Sequence, residues 1–488
     1  MSQLFVDRGP ELGFLKERLG SNEPEFVVIY GRRRVGKTKL VLEFLREERG
    51  IYLLATEEGD RENIRAFATE FGKLLGDDGF SKATYPDWSS LFDSLCNHAA
   101  FTKERDEKTI IVIDEFPFLI RGNRAVPSIF QKIWEQVLER RNVMLVLLGS
   151  SVSAMESEVL GYKSPLYGRR TGQWQIAPLE FRFLGEFFPD YTIEDLANVW
   201  FVVGGIPAYL LRFDPHLSFF ENVEQKVLKK GSYLHREMDI LLRDEFREPR
   251  NYRLIFKAIS LGYHRLAEIC DQTGLDKSMV SKYLDVLDRL HLIVEEKPVL
   301  APAKFRRKRH LLSDQYFSFW FRYVYLNRIE LEAMRYGEVL GLVKNDFPTY
   351  AGRAFESLVK HLLLTGTVRG PFPFTRIGRQ WGKVPGAKRG KNTYEIDLVA
   401  VNEATVDILF VECKWKEGVS ARRVLAELRE KAGHVDWRKG SRKEHFAIFA
   451  KSFSRRSDDC LCYDLKDLEK TLPGRGREGT GPSPSMTS

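Results

Sequence analysis

The chain has 488 residues, 43% of them hydrophobic and 30% charged, which is the composition of a globular protein with room for about three domains. Its formal net charge is +8, which favours a polyanionic partner. The sequence has neither a run of about eighteen apolar residues nor the pattern of a secretory signal, so we expect a cytoplasmic protein without a membrane span. Its five cysteines are scattered, which argues against a disulfide framework or a four-ligand zinc site.

The first chemical signature follows an apolar run at 25–30, which predicts a buried strand. Residues 31–38 read G-x-x-x-x-G-K-T and a helical stretch follows, which is the context that a P-loop requires. Backbone N–H groups at the glycines and at the helix N-terminus would bind phosphates, Lys37 would reach the β- and γ-phosphates, and the Thr38 hydroxyl would hold Mg²⁺. We therefore predict ATP and Mg²⁺ as cofactors. The predicted nucleotide-binding residues are Gly31, Arg32, Arg33, Arg34, Val35, Gly36, Lys37, Thr38 and Lys39.

Strands and helices alternate through the rest of the first block. Apolar runs at 51–56, 109–119 and 143–151 predict strands, and amphipathic helices separate them. Continuous apolar strands that alternate with helices predict a parallel sheet covered on both faces, whose ligand lies at the carboxyl ends of the strands. The P-loop follows one strand end, so further functional side chains are expected at the others.

Two adjacent carboxylates, Asp114 and Glu115, directly follow the apolar residues 110–113. With a P-loop upstream on the same predicted sheet, we interpret Asp114 as a ligand of Mg²⁺ and Glu115 as the general base that polarises the attacking water. The alternative is a pair of acids that caps the following turn. Ser150 closes the next run and is predicted to sense the γ-phosphate, although a simple turn serine fits the position as well.

Several motifs of this half resemble one known family, the archaeal-type P-loop ATPases of the STAND/AAA-like group, many of which carry a C-terminal domain of the DUF234 type. The motifs are YGRRRVGKT, IIVIDEF, LLGSS, SPLYGRRTGQWQIAPLEF and GGIPAYL. The resemblance implies an ATPase core at 1–180 and a helical lid at 181–248. It also implies that Arg169 or Arg170 contacts the γ-phosphate, within one chain or across a subunit boundary, as arginine fingers do. A surface arginine pair is the alternative, and assembly into a homo-oligomer stays open.

The middle block, 249–300, has the pattern of three helices and a short β wing, which is typical of a winged helix-turn-helix. Its second and third helices are joined by a tight turn, and Asp276 is predicted to cap the third, the recognition helix. That helix balances three basic residues with three aspartates over 276–291, apart from His291, which provides little phosphate neutralisation. The module therefore either reads DNA or packs against the lid as a relay.

A basic linker is predicted at 301–312. Its residues 304–310 include five positive charges and no acid, and they form either a solvated connection or a phosphate-gripping edge of the wing. The residues 376–391 form a second basic segment that also lacks acids. Both segments are predicted to contact a DNA backbone.

The last block, 313–472, resembles the DUF234-type domain from its aromatic-rich start, which is predicted as a helix over 311–328. Two predicted strands, 394–401 and 406–416, are joined by a short turn, and a long helix is predicted over 347–364. With the period-two geometry of strands, Asp397 lies on one face of the first strand, and Glu412 and Lys414 share one face of the second.

That arrangement resembles the PD-(D/E)xK nucleases. The resemblance implies that Asp397 and Glu412 bind Mg²⁺, that Lys414 stabilises the attacking hydroxide or the transition state, and that Glu356 on the preceding helix adds a further acid. The alternative is an exposed hairpin with ordinary cross-strand ion pairs. Ile396 stands where a proline precedes the first acid in the family pattern, and degenerate members of a fold keep its shape without its activity.

Taken together, the patterns predict an α/β protein: a P-loop NTPase parallel sheet with a helical lid, a winged helix-turn-helix, an α/β restriction-endonuclease-like domain and a disordered tail at 473–488. The predicted function is ATP hydrolysis that controls a Mg²⁺-dependent, nuclease-like domain acting on DNA. The alternative is an ATP-driven switch of the STAND type, or a DNA-binding regulator, with a catalytically inactive C-terminal domain.

Overall fold

The computed structural model describes residues 5–102, 107–246, 248–302, 304–305, 307–384, 386 and 392–472. The predicted tail and part of each basic segment, namely Arg306, Pro385 and residues 387–391, lie outside the described residues. The chain divides into two compact units, one up to Pro178 and one from Leu179 onward.

The first unit is built on a five-stranded sheet whose strand order is β2-β3-β4-β1-β5, and every neighbouring pair in it is parallel. Three strands of the sheet (β1, β3 and β4) are buried along their whole length, because helices cover both faces. This arrangement confirms the predicted parallel sheet. The strands are β1 (Glu25–Tyr30), β2 (Gly50–Leu54), β3 (Thr109–Asp114), β4 (Val143–Gly149) and β5 (Gly172–Gln175).

An aromatic core fills one side of this sheet. The ring centroids of Phe116 and Phe130 are 5.1 Å apart, and those of Phe67 and Trp88 are 5.2 Å apart. Such contacts fix the helices that precede and follow the strand ends. The α-helices of the unit are α1 (Gly9–Leu19), α2 (Lys37–Phe44), α3 (Asp60–Leu75), α4 (Asp78–Lys82), α5 (Trp88–Asn97), α6 (Ala99–Thr102), α7 (Phe116–Gly122), α8 (Val126–Gln136) and α9 (Val152–Ala154).

The second unit opens with helices. They are α10 (Leu184–Phe187), α11 (Ile193–Val203), α12 (Pro207–Leu210), α13 (Phe219–Asn222), α14 (Tyr233–Glu245), α15 (Arg250–Ser260), α16 (Leu266–Thr273) and α17 (Lys277–Arg289). The helix α17 begins as expected, because the Asp276 carboxylate accepts the backbone N–H of Met279 at 2.9 Å.

A two-stranded antiparallel sheet follows, formed by β6 (Ile293–Glu296) and β7 (Arg309–Leu312). The strand β7 corrects the helix predicted over 311–328: the helix α18 (Gln315–Phe319) begins only after Asp314, whose carboxylate caps it. The aromatic pattern was interpreted as one helix, but its first residues pair with β6 instead.

A second five-stranded sheet forms the end of this unit, with the order β14-β12-β10-β9-β8 and both parallel and antiparallel pairs. The strands not yet named are β8 (Arg376–Lys383), β9 (Thr393–Asn402), β10 (Asp407–Lys414), β11 (Val419–Ser420), β12 (Lys443–Ala450), β13 (Phe453–Arg455) and β14 (Leu461–Tyr463). The remaining α-helices are α19 (Arg328–Glu332), α20 (Tyr336–Leu364), α21 (Ala421–Gly433) and α22 (Leu465–Glu469).

The helix α20 is longer than the helix predicted from residue 347 onward, because it continues through Pro348. A proline inside a helix costs about 3 kcal/mol. Here the buried face of Val339, Val343 and Phe347 continues into Ala351 and Phe355, so tertiary packing outweighs that cost. In the part of the chain that the structure describes, no helix has the length and apolarity needed to cross a membrane.

Candidate nucleotide and carboxylate sites

The loop between β1 and α2 has the backbone geometry that its glycines predict. Gly31 has a φ of 155°, and a Cβ there would lie 2.5 Å from the carbonyl oxygen of Ile176. Gly36 has a φ of 96° and directly precedes α2. Any other residue at Gly31 would clash with backbone, so the first glycine of the motif is required by the close approach of two main-chain segments.

Lys37 is the first residue of α2, and its side chain folds back onto the loop. Its side chain is buried, and Nζ donates to the carbonyl oxygens of Gly31 at 2.9 Å and Arg32 at 3.0 Å. Burial lowers the pKa of Lys37 to about 8, while the negative charges of Glu115 and Asp114 act in the opposite sense. The lysine is therefore held on its own loop, close to the two predicted acids.

Asp114, at the end of β3, is surrounded by neutral donors. Its Oδ2 accepts from the Thr38 hydroxyl at 2.6 Å and from the Tyr52 hydroxyl at 2.8 Å, and its Oδ1 accepts the backbone N–H of Glu115 at 2.8 Å. A hydroxyl and a carboxylate in contact supply the hard oxygen ligands that Mg²⁺ prefers. The predicted pair of Thr38 and Asp114 is thus brought together, and the pair fits this ion.

Tyr52 was missed by the sequence reasoning. It lies on β2, the strand next to β3, and burial followed by the charge of Asp114 raises its pKa. A tyrosine in the apolar run 51–56 was the available signal, since a buried hydroxyl needs a partner.

Glu115 directly follows β3 and has a φ of 54°, in the left-handed region. Its side chain and that of Asp114 therefore point in different directions. The Glu115 carboxylate accepts a hydrogen bond from the hydroxyl of Ser150, and the Ser150 backbone N–H lies 3.4 Å from Oε2. The predicted sensor serine therefore touches the predicted general base, which places both at the carboxyl edge of the sheet.

The two predicted finger arginines have different surroundings. Arg169 is engaged by Glu135, with Nε 2.8 Å and Nη2 2.7 Å from Oε1. Arg170 lies near Tyr30, the residue before the P-loop, where its charge opposes the rise that burial causes in the pKa of that tyrosine. Among the described residues the Nη1 atom of Arg170 is buried with no hydrogen-bond partner. Arg170 is accordingly the arginine whose charge acts on Tyr30, the residue before the loop, and whose Nη1 is not engaged by a described residue.

Two further contacts concern the loop and its helix. Arg8, which the sequence reasoning did not single out, donates from Nη2 to the carbonyl oxygens of Val35 at 2.9 Å and Ala177 at 3.0 Å, and Glu11 pairs with its Nη1 at 2.9 Å. Arg8 therefore fixes the middle of the P-loop. The ammonium group of Lys39 lies 5.9 Å from the centre of the Phe5 ring.

The second group of predicted residues lies on β9 and β10. Asp397 accepts the backbone N–H of Cys413 at 2.8 Å, and Glu412 accepts from Nζ of Lys414 at 2.7 Å. Burial raises the pKa of Asp397, and the negative charge of Glu412 raises it further. The structure thus brings Asp397, Glu412 and Lys414 together, as the period-two pattern predicts.

Glu356 belongs to a different set of contacts. It accepts a hydrogen bond from Nη2 of Arg379, and this arginine also lies 3.0 Å from Glu395 and 3.5 Å from Glu296. Burial raises the pKa of Glu356, Arg379 opposes that rise, and the negative charge of Asp397 adds to it. Within the described ranges no three acidic, histidine or cysteine side chains gather as a metal site. Asp397 and Glu412 offer oxygen ligands that fit Mg²⁺, and Glu356 is held by an arginine.

The described arginines of the two basic segments are largely paired. Arg309 donates from both terminal nitrogens to Glu395, each at 2.8 Å, and Arg376 lies 2.6 Å from Glu403. Burial alone would raise the pKa of Glu395, but the contacts with Arg309 and Arg379 outweigh it and lower the pKa to about 2. These charges are less available to a DNA backbone than the sequence alone suggests.

Lys431 was also missed. Its Nζ lies 2.9 Å from Oε1 and 3.0 Å from Oε2 of Glu412, although it comes from α21. It follows Val424 and Leu428 at helical spacing, on the border of the buried stripe of this helix. A basic residue beside a buried stripe was the only signal in the sequence.

Comparison with known proteins identifies both halves. Residues 5–213 match a family described as an ATPase domain predominantly from Archaea, and residues 320–428 match DUF234, described as archaeal and bacterial proteins of unknown function. These matches confirm the predicted pairing of the two domain families. The uncharacterised protein MJECL04 of Methanocaldococcus jannaschii is 37% identical over 473 residues, which is 95% of this chain and 100% of that protein.

Solved structures also resemble this chain. A Walker-type ATPase of Pyrococcus abyssi is 22% identical and matches with a TM-score of 0.48, covering 65% of this chain and 96% of its own. The ORC2 protein of Aeropyrum pernix, solved in ADPNP–ADP complexes, is 13% identical with a TM-score of 0.47, covering 68% of this chain and 95% of its own.

Proposed function

Because this chain belongs to the same family as MJECL04 of M. jannaschii and joins an archaeal-type ATPase domain to a DUF234 domain, we propose that its ATP hydrolysis controls a nuclease-like, DNA-directed site in its C-terminal half. The contact of Thr38 with Asp114, directly beside the buried Lys37, carries the ATPase part of this proposal.

In the first reaction, water attacks the γ-phosphate of ATP. Lys37 and the backbone N–H groups of the loop bind the phosphates, and Glu115 accepts the proton of the attacking water. Thr38 and Asp114 would hold Mg²⁺, which supplies neutralisation of the phosphate charge when it is bound. Ser150 orients Glu115, because its hydroxyl already donates to that carboxylate.

Arg170 completes this site as the cation for the charge that develops on the γ-phosphate. Its position near Tyr30 and its unpartnered Nη1, among the described residues, support this choice over Arg169, which Glu135 engages.

The substitution Lys37→Ala tests the ATPase. We expect ATP turnover to be lost, because the phosphates lose their charged ligand inside the loop. A matched control is Lys73→Ala on α3, where the lysine side chain is 65% exposed and pairs with Glu70. Release of phosphate by purified protein is the measurement, and unchanged turnover in the Lys37 variant would remove the P-loop from the mechanism.

In the C-terminal half, Asp397 and Glu412 would hold a divalent cation and Lys414 would stabilise the developing negative charge on the cleaved phosphodiester. Asp397 accepts the backbone N–H of Cys413, the residue next to Glu412, at 2.8 Å, and this proximity supports the role. The test is incubation with linear, circular and single-stranded DNA and Mg²⁺ or Mn²⁺, with and without ATP. Cleavage that depends on ATP supports the proposal, and it should disappear in Asp397→Asn.

One observation favours a second function. Protein cations already engage Glu356 and Glu412, through Arg379 and through two lysines. An ATP-driven switch or DNA-binding regulator would need only the charged surface of this domain, without cleavage. Retention of the protein on DNA in the presence of Mg²⁺, with no cleavage under any nucleotide condition, would select this second function.

A further inference from the structure

Two ammonium groups share the carboxylate of Glu412. The Glu412 side chain is 5% exposed; Lys414 Nζ lies 2.7 Å from Oε1, and Lys431 Nζ lies 2.9 Å from Oε1 and 3.0 Å from Oε2. Lys414 is two residues away on the same strand, whereas Lys431 reaches Glu412 from α21. The contact of Lys431 with Glu412 therefore joins α21 to β10.

The charges at the centre of this site balance without any bound ion. Asp397 and Glu412 supply two negative charges, and Lys414 and Lys431 supply two positive charges. A divalent cation between the carboxylates would lie beside both ammonium groups, and like charges repel strongly where the surroundings are buried. Binding of a cation to Glu412 therefore requires that one lysine leaves its oxygens.

Lys431 is the lysine to which we assign this, because Lys414 already has a proposed role at the cleaved phosphodiester. Exposure does not separate the two side chains, which are 30% exposed for Lys431 and 33% for Lys414, and each ammonium group sits on a flexible four-carbon stem. The helix that carries Lys431 stays anchored, because Val424, Leu425, Leu428 and Ala432 are buried. The side chain can thus swing toward solvent while the backbone remains in place.

We propose that Lys431 couples nucleic-acid binding to metal binding: it covers Glu412 until a backbone phosphate of the substrate draws its ammonium group away and uncovers the carboxylate. This inference rests on the proposed nuclease-like function. Phosphate is the chemical class that fits, because it offers an ammonium group an anion to replace Glu412. Lys431 is a positioning residue in this scheme, because it controls whether the Glu412 carboxylate is open to a metal ion and does not itself contact the reacting atoms.

Coupling between two ligands is reciprocal, which makes the scheme measurable. DNA should tighten metal binding, and metal should tighten DNA binding by the same factor. Without the ammonium group at Lys431, the carboxylate is uncovered in the free protein. Metal binding should then be tight from the start and independent of DNA.

Calorimetric titration of the full chain with Mn²⁺, in the presence and absence of a phosphorothioate duplex that resists cleavage, tests this. For the wild type we expect DNA to tighten Mn²⁺ binding about tenfold, within the usual range of coupling factors. For Lys431→Met, which keeps the apolar stem, we expect about tenfold tighter binding without DNA and no further gain with it. Lys431→Arg should bind Mn²⁺ more weakly than the wild type, because a guanidinium pairs with both oxygens at once.

The matched control is Arg423→Met on the same helix, where the side chain is 79% exposed, and it should titrate like the wild type. The variant Asp397→Asn shows which part of the measured heat of Mn²⁺ binding comes from the C-terminal site rather than from the nucleotide site. If Asp397→Asn removes Mn²⁺ binding but Lys431→Met binds no tighter than the wild type, the coupling role of Lys431 is wrong while the site stands. If Asp397→Asn leaves the titration unchanged, the proposed metal site falls, and the coupling falls with it.

Discussion

The nucleotide site and the carboxylate site of this chain differ in the groups that hold their acids. Asp114 is held by two hydroxyl groups and a backbone N–H, so its negative charge stays available inside the site. Glu412 is held by two ammonium groups and Glu356 by a guanidinium, so their charges are already balanced. On the proposed roles, the first site is arranged for a cation in its resting form, whereas the second would have to exchange protein cations for one.

The largest expected effect concerns Glu115, the proposed base of the nucleotide site. Glu115→Gln removes the group proposed to accept the proton of water but keeps the shape of the side chain, so ATP turnover should fall by about 10²–10⁴-fold while ATP still binds. Turnover and binding of a fluorescent nucleotide are measured side by side. The control is Glu70→Gln on α3, where the side chain is 41% exposed. Equal losses of binding and turnover would assign Glu115 to the loop structure and weaken the contrast between the sites.

The next effect concerns the arginine pair. Arg170→Ala should lower ATP turnover by about 10²–10³-fold, the usual cost of one donor to a developing charge. Arg169→Ala breaks a half-exposed ion pair with Glu135, which is worth at most about 1 kcal/mol. Rates measured for the two variants decide between them. A larger loss in the Arg169 variant would reverse the assignment and point to a rearranged partner for Glu135.

The sequence predicted those parts of both sites that are contiguous or lie at strand ends. Lys37 and Thr38 follow one apolar strand directly, and Asp114 closes another, so the parallel sheet alone brings them to one edge. The predicted family and the α/β class are confirmed, while the roles of the site residues stay predictions. Glu412 and Lys414 were likewise placed together by strand periodicity.

What the sequence did not predict is the partners of these residues. Arg8, Tyr52 and Lys431 lie far along the chain from the groups that they contact, and each belongs to an element whose own pattern is unremarkable. The strand β7 and the start of α20 were missed for the same reason, because pairing with β6 and packing of a continuous buried face decided them rather than local propensity. The charge balance of the carboxylate site could therefore not be predicted from the sequence, because Lys431 comes from a separate element.

Tyr52 tests how firmly the first site is prepared for its cation. Tyr52→Phe removes one of the two hydroxyl donors to Oδ2 of Asp114 and keeps the ring in place. Outer-shell hydrogen bonds of this kind change metal affinity by about 10–100-fold, so we expect the Mg²⁺ concentration for half-maximal turnover to rise about tenfold. Tyr85→Phe, in the same unit, is the control, since its hydroxyl donates only to the carbonyl oxygen of Phe80 among the contacts described. An unchanged Mg²⁺ requirement would make Tyr52 a packing residue.

The smallest expected effect is on stability and concerns the second site. The pKa of Asp397 is raised to about 6, so the folded state binds its proton more tightly than the unfolded state does. Stability that depends on this group is therefore full at low pH and is lost as pH rises toward and past 6. Asp397→Asn is neutral at every pH and its oxygen can still accept the Cys413 N–H. In the presence of a chelator, its melting temperature should exceed that of the wild type by a few degrees at pH 8, and the two should match only below about pH 4, the ordinary pKa of an aspartate.

The exposed Asp436→Asn in the same unit should show no such dependence on pH. A melting temperature of Asp397→Asn that lies below the wild type at pH 8 would mean that the ionised carboxylate is stabilised by Lys414 and Lys431 more than burial destabilises it. The second site would then tolerate both negative charges without a metal, and the difference between the two sites would lie in their ligands alone. A higher melting temperature would instead show that burial destabilises the ionised Asp397 carboxylate even though two lysines contact Glu412, so that a divalent cation would gain most by entering beside Asp397.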